Sequence, residues 1–231
     1  MIGLAIITVN LNNADGLLKT INSVVAQKKL SQTPPIQFII IDGVSSDDSL
    51  DVCQSFKNDI DIFISEKDDG IYHAMNKGIE LCTMDKMLFL NSGDYFVGNV
   101  LDKELTFGSI FPSKTLVGSK LKNIKRRNPN FFMPYCHQGI VFQKSDLRYN
   151  QNIKYNADYL YVLESDIFRF FNHVDCEGYV YFDPDGISSR FPFRRDLDGL
   201  KVHYLHFGKH RALLMFFVIL LKQMARYVKN F

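Results

Sequence analysis

The sequence predicts an α/β protein, built on a mostly parallel central sheet with helices on both faces and followed by a C-terminal helical appendage. Three observations predict it. Short apolar runs alternate with stretches of helical apolar spacing in roughly the first hundred residues. Clusters of Asn and Asp stand where the apolar runs end, the edge at which such sheets collect ligands. Beyond Gly199 the charge pattern changes, with six Lys or Arg and no Asp or Glu up to Phe231.

Taken in order, GLAIITV is an apolar run of strand length, continuous enough to be buried on both faces. A helix follows in GLLKTINSVVAQ, where Leu17, Leu18, Ile21, Val24 and Val25 recur at helical spacing. The strand IQFIIID runs into the small-residue turn GVSSDDS and a helix through Leu50, Cys53 and Phe56. The strand DIFIS and the loop EKDD lead to a helix from Gly70, with Ile71, Met75, Ile79 and Cys82 in one stripe. KMLFL closes the series at NSGD. Strand and helix repeated three times before a last strand give a parallel sheet with covering helices. Residues 99–134 carry Gly108, Gly118, Pro112, Pro129, Pro134 and the basic KLKNIKRR, which predict loops and short surface strands. HQGIVFQ reads as a strand, NADYLYVLESDIFRFF as a helix with Asn156 as a cap, and VDCEGYVYFD as a strand. The chain divides into a body, 1–198, and a basic segment, 199–231.

With 231 residues and 46% hydrophobic content, the chain can bury one substantial core. Its net charge of +2 is the sum of a basic tail and a slightly acidic body. Cys53, Cys82, Cys136 and Cys176 show no CxxC pair and no zinc spacing, so a reduced, cytosolic protein is expected. MIGLAIITVN lacks a basic leader and reads as a first strand. No GxGxxG follows that strand and no GxxxxGK[ST] occurs, which excludes a dinucleotide-binding dehydrogenase and a P-loop ATPase. Basic patches can bind nucleic acid, but the acidic edge of the sheet argues against that partner.

That edge carries Asn10 and Asn12, then Asp42, then Glu66, Asp68 and Asp69, then Asn91 and Asp94. Asp and Asn at strand ends commonly cap the next helix, and this suffices for Asp48 or Asp69. Asp94 begins no helical pattern. It is a lone acid at the end of a buried strand.

Together, ITVNLNNADGLLKTINSV, IIDGVSSDDS, SEKDDGIYHAMNKGIELC and LFLNSGD resemble the GT-A fold of glycosyltransferase family 2. The closest likeness is to bacterial enzymes that build O-antigen, capsule and exopolysaccharide units. Beyond residue 100 it thins to HQGIVF, the NADY helix and DGISS. The resemblance implies an inverting transferase that takes a sugar from a nucleotide sugar, UDP-linked, to a polyprenyl-diphosphate-linked acceptor. It implies a divalent metal, Mn2+ or Mg2+, held by Asp94 against the diphosphate. Asn91 and Gly93 stand where relatives carry further acids, and are expected to make room for ribose and phosphate. Asn10 and Leu11 would line the base, Asp42 would bond it, and Asp68 would sit in a loop over the nucleotide. Asp158 would be the base that deprotonates the acceptor, with Glu164 and Asp166 as substitutes; His137 and Gln138 would bind acceptor hydroxyls. The thinned acidic motif keeps a second reading open, a catalytically silent nucleotide-sugar-binding or scaffold protein of the same fold.

In the tail, ALLMFFVILL is ten apolar residues long, too short for a bilayer crossing of about twenty. Lys209, Arg211, Lys222, Arg226 and Lys229 flank it. The expectation is a helix lying in the interface of an anionic membrane, peripheral at its cytoplasmic face. A helix packed on the protein's own sheet, or a dimer contact, is the alternative.

Overall fold

β1 (Leu4–Asn10) is buried along its whole length and is the middle of a five-stranded sheet. The computed structural model describes residues 1–30, 32–117, 119–128, 130–184 and 192–229. The chain leaves β1 through α1 (Ala14–Lys28) to β2 (Ile36–Asp42), and through α2 (Ser49–Ser55) to β3 (Ile62–Ser65). It then crosses back through α3 (Ile71–Leu81) to β4 (Lys86–Phe89) on the other side of β1. These four strands are parallel, in the order β3-β2-β1-β4, and an antiparallel β9 (Phe142–Gln143) closes the edge. The order reverses between β1 and β4, so the crevice outside their carboxyl ends is the natural ligand position.

Alternation along each strand sorts the core. Leu4, Ile6, Phe38, Ile40 and Leu88 face α1, whose Leu17, Ile21 and Val24 are fully buried. Ala5, Ile7, Val9, Ile39, Ile41 and Phe89 face α3 and α4 (Ala157–Glu164). Each fully buried Leu, Ile or Val contributes about 1.5–3 kcal/mol, so both faces are strongly anchored.

A second sheet lies beyond the crevice. β5 (Tyr95–Val97), β7 (Ser113–Val117), β8 (Lys120–Asn123) and β11 (Tyr179–Phe182) pair in the order β5-β11-β7-β8. Between them run the short parallel pair β6 (Ser109–Ile110) and β10 (Asn172–His173). The chain ends in α5 (Pro192–Phe207) and α6 (Lys209–Lys229), separated at Gly208 with φ +83°.

Three expectations change here. HQGIVFQ is not one strand: His137–Gly139 form a buried 3-10 turn and only Phe142–Gln143 pair with β4. The NADY helix stops at Glu164, because Asp166 takes the left-handed conformation (φ 54°) and starts a separate 3-10 turn, Ile167–Arg169. Asn156 precedes that helix without a side-chain cap, its amide spent on the Arg195 carbonyl at 2.7 Å. Asp198 of α5 accepts from the N–H groups of Lys154 and Tyr155 at 2.8 and 3.0 Å. The DGISS motif lies outside the described residues.

Candidate active site

Parallel register brings the first polar groups level. Asn10 pairs with Asp42, and Asp42 with Ser65, so three strand ends meet in one row. Asp42 is completely buried and accepts four hydrogen bonds: from Asn10 Nδ2 (2.9 Å), Ser45 Oγ (2.5 Å), Ser45 N–H (2.9 Å) and Ser65 Oγ (2.7 Å). Burial alone would raise its pKa, but these donors together hold it below the usual carboxylate range. Four bonds use the acceptor capacity of a carboxylate. Asp42 therefore organises the GVSS turn, and its role toward a base is carried through Asn10 and Ser45, which it orients.

The open acceptor in this row is Asn10 Oδ1. The carboxylate of Asp42 fixes the amide orientation by taking its N–H, and the other face leaves Oδ1 buried with no hydrogen-bond partner. Beside it Gly43 lies at a narrow point: a Cβ there would stand 2.9 Å from Asp68 Oδ2 and 3.3 Å from Leu11 Cδ1. Leu11, with 57% of its surface exposed, and Asp68 thus both stand against Gly43. Val44, on the same rim, is held at φ 62°, a conformation that costs a β-branched residue of order 1–3 kcal/mol.

Across the switch point, α1 secures the loop Asn91–Asp94. Thr20 Oγ1 donates to the Asp94 carbonyl (2.7 Å) and accepts from Gly93 N–H (3.1 Å), and Asn13 Nδ2 donates to the Ser92 carbonyl (3.1 Å). Asp94 is 3% exposed; its Oδ1 accepts from the Asp183 N–H at 2.8 Å, and the Gln138 side chain also bonds its carboxyl. Burial first, with the Asp183 charge adding to it, pushes this carboxyl up to about 8 against those two hydrogen bonds.

The third component comes from α4. Asp158 Oδ1 accepts from the Tyr72 hydroxyl of α3 at 3.3 Å and from the Tyr159 N–H at 2.9 Å. Burial raises its carboxyl to about 6 despite those bonds. Glu164 lies six residues further along α4, about 9 Å away at 1.5 Å per residue, and Asp166 is spent on Arg169 at 2.8 Å. Burial raises the Cys136 thiol, and the charges of both Asp94 and Asp158 add to the shift.

His137 and Gln138 differ from the acceptor contacts expected of them. His137 is 5% exposed, stacks on Phe89 and shares a 2.6 Å hydrogen bond between Nε2 and the Tyr149 hydroxyl. Burial lowers its pKa to about 3, so it is a neutral core residue. Gln138 supports Asp94 and accepts from Cys136 Sγ at 3.1 Å.

The comparisons with known proteins follow this geometry. Residues 5–107 match the family described as glycosyl transferase family 2. That stretch is similar to a family 2 glycosyl transferase domain. An uncharacterized glycosyltransferase of Mycobacterium tuberculosis is 38% identical over 94 residues, 41% of this chain and 35% of that protein. The PGL/p-HBAD biosynthesis glycosyltransferase of Mycobacterium bovis is 29% identical over 126 residues, 52% of this chain and 46% of that one. The chain thus spans about a third to a half of the curated relatives it matches. Among solved structures, Staphylococcus aureus TarS 1-349 in complex with UDP-GlcNAc superposes with a TM-score of 0.68 at 14% identity, over 88% of this chain and 65% of that one. The mannosyltransferase PcManGT of Pyrobaculum calidifontis, in complex with GDP-Man and Mn2+, gives 0.62 at 11% identity, over 89% and 64%. At such identities the likeness establishes the fold, which is of the GT-A type.

In this domain the donor set suits a hard divalent cation. Asp94 is a buried carboxylate short of counter-charge, and Asn91 Oδ1 is buried with no hydrogen-bond partner. Among the described residues no three His, Cys, Asp or Glu converge. A cation here would have few protein ligands and complete its shell with phosphate oxygens and water. The sequence reading missed Asn13, Thr20, Tyr72 and Asp183. Asp183 carried the signal used for Asp42 and Asp94, an acid at the end of a strand.

Proposed function

We propose that this protein is an inverting glycosyltransferase that moves a sugar from a UDP-linked donor to a lipid-linked oligosaccharide in bacterial surface polysaccharide synthesis. The observation that carries the reading is the placement of Asn10 and Asp94 after β1 and β4, where the strand order reverses, with Asp158 near enough that its charge and that of Asp94 both act on Cys136. Leu11, Gly43 and Asp68, which stand against one another beside the strand ends, would receive the base, and the unpartnered Asn10 Oδ1 would accept from it. A pyrimidine ring N–H suits that acceptor. The UDP-GlcNAc carried by TarS supports the donor class.

Asp94 would hold Mn2+ or Mg2+, which supplies positive charge to the diphosphate as it leaves. Asp158 does the proton chemistry. Its carboxylate takes the proton of the acceptor hydroxyl, the freed oxygen forms a bond to the anomeric carbon, and the bond from that carbon to the diphosphate oxygen breaks. Attack opposite the leaving group inverts the centre. Asp158, with a carboxyl near 6, is ionised at neutral pH and basic enough to accept the proton. Tyr72 fixes its direction.

The same reading puts the protein at the cytoplasmic face of the membrane, held there by its C-terminal helix. Among the described residues no helix is long and apolar enough to cross a bilayer. On α6, Met215 and Ile219 are buried while Leu213, Phe216, Phe217, Leu220 and Leu221 are exposed. An apolar groove of about 490 Å3 runs beside it, lined by Ile153, Leu200, Tyr204, Leu205 and Ala212.

The test is calorimetric titration of UDP, GDP and their sugar conjugates with and without Mn2+, followed by turnover with a lipid-linked acceptor. UDP binding that strengthens with metal, and turnover abolished in Asp158→Asn with donor binding intact, is the expected result. Absence of nucleotide binding under every condition overturns the reading. Binding without turnover, for any donor and acceptor, would favour a silent binding protein.

A further inference from the structure

The acidic loop Asn91–Asp94 has one carboxylate, and Gly93 stands where a second would be expected. β11 supplies an acid at that point. β5 and β11 are antiparallel, with Tyr95 opposite Tyr181 and Val97 opposite Tyr179. Continuing that register by two residues sets Asp183 opposite Gly93. The Asp183 N–H then donates to Asp94 Oδ1 at 2.8 Å, which ties the two residues across the strands. Stacking of Tyr95 on Tyr181, with centroids 4.6 Å apart, fixes the pair.

The space beside Gly93 is taken by this acid. A Cβ built on Gly93 would lie 3.0 Å from Asp183 Oδ2, so any side chain at 93 competes with that carboxylate. Gly93 also has φ +101°, which further excludes an acidic residue there. Two strands that approach so closely can present only one carboxylate at this point. The glycine leaves it to β11.

We propose that Asp183 is the second carboxylate of the divalent-cation site, delivered from β11 in place of the acid missing at Gly93. The inference rests on the reading of Asp94 as a metal ligand. Two carboxylates on different strands hold a small hard cation together with the donor diphosphate and water. The site then forms only when β11 is paired with β5, so cation binding reports on the junction between the main sheet and the second sheet.

Mn2+ binding measured by the loss of its free-ion electron paramagnetic resonance signal tests this, with Mn2+ alone, with UDP and with GDP. Wild type, Asp94→Asn and Asp183→Asn are compared. Asp183→Asn keeps the backbone N–H that bonds Asp94 and the shape of the side chain, and removes only the charge. It should weaken nucleotide-linked Mn2+ binding at least about tenfold, as Asp94→Asn does. Metal-free Asp183→Asn should melt close to wild type, because the amide keeps the shape of the side chain and the backbone N–H, yet lose the gain in Tm that Mn2+ and UDP give wild type. Asp183→Ser is measured alongside in case the amide disturbs folding. Mn2+ affinity within twofold of wild type in either folded variant, with Asp94→Asn defective, overturns the role of Asp183 and leaves that of Asp94 standing. Absence of nucleotide-linked Mn2+ binding by wild type overturns both.

Discussion

Asp158 shows how far one side chain's surroundings set its chemistry. Its carboxyl lies near 6 because burial outweighs the hydrogen bonds from Tyr72 and the Tyr159 N–H. As the proposed base it must be ionised, so kcat/KM should fall as pH drops through about 6, and a pH-rate profile reads this directly. Stability should show the opposite preference. A carboxyl raised above its unfolded value makes the folded protein bind the proton first, so this residue destabilises the fold above about pH 6 and ceases to do so as pH falls towards 4. Asp158→Asn should therefore raise Tm more at pH 7.5 than at pH 5, while lowering turnover about 10²–10⁴-fold. Tyr72→Phe removes a hydrogen bond that favours the ionised form. It should move the acidic limb of the profile to higher pH with little change in Tm. An unmoved limb would leave Tyr72 a packing residue, stacked on Tyr149 at 5.4 Å.

Among the elements, α3 depends on a position with no side chain. Gly78 faces β1, and a Cβ there would stand within van der Waals overlap of Ile7 Cγ2. Gly78→Ala would gain helix propensity yet push α3 off the sheet. A net loss of about 1–3 kcal/mol in urea unfolding is expected, and an unchanged midpoint would mean that α3 shifts freely. The main sheet was legible because each of its strands is an apolar run set between helical stripes. Asp94 stood out there as an acid with no helix to cap. The second sheet was hard to read because its strands are three to five residues long and β11 pairs with both β5 and β7 across large sequence separations. The neighbourhood of Asp183 and Gly93 exists only through that pairing. The surroundings of His137 and Asp42 were hidden for a related reason: residue type and position suggest contact with substrate, whereas burial and bonding partners are invisible in sequence.

For the molecule as a whole, the charge asymmetry and the exposed apolar face of α6 point the same way. The last thirty-three residues hold six basic and no acidic side chains, and Leu213, Phe217, Leu220, Leu221 and Met224 are each exposed by 45% or more. A second copy packed on this face would bring two basic tails together. An anionic bilayer would instead gain about 1 kcal/mol for each basic residue near its surface and bury the apolar residues as well. The full chain should therefore float with vesicles containing phosphatidylglycerol and stay largely unbound with phosphatidylcholine alone, and high salt should weaken but not abolish its binding. Replacing Leu213, Phe217 and Leu220 together with Ser should abolish flotation and leave Tm and UDP affinity unchanged, because all three lie outside the core. Sedimentation velocity distinguishes the alternative. If the wild type is a dimer without lipid and the triple variant a monomer, with flotation equal for both, then α6 is a subunit contact, and the proposed lipid-linked acceptor is reached by another surface.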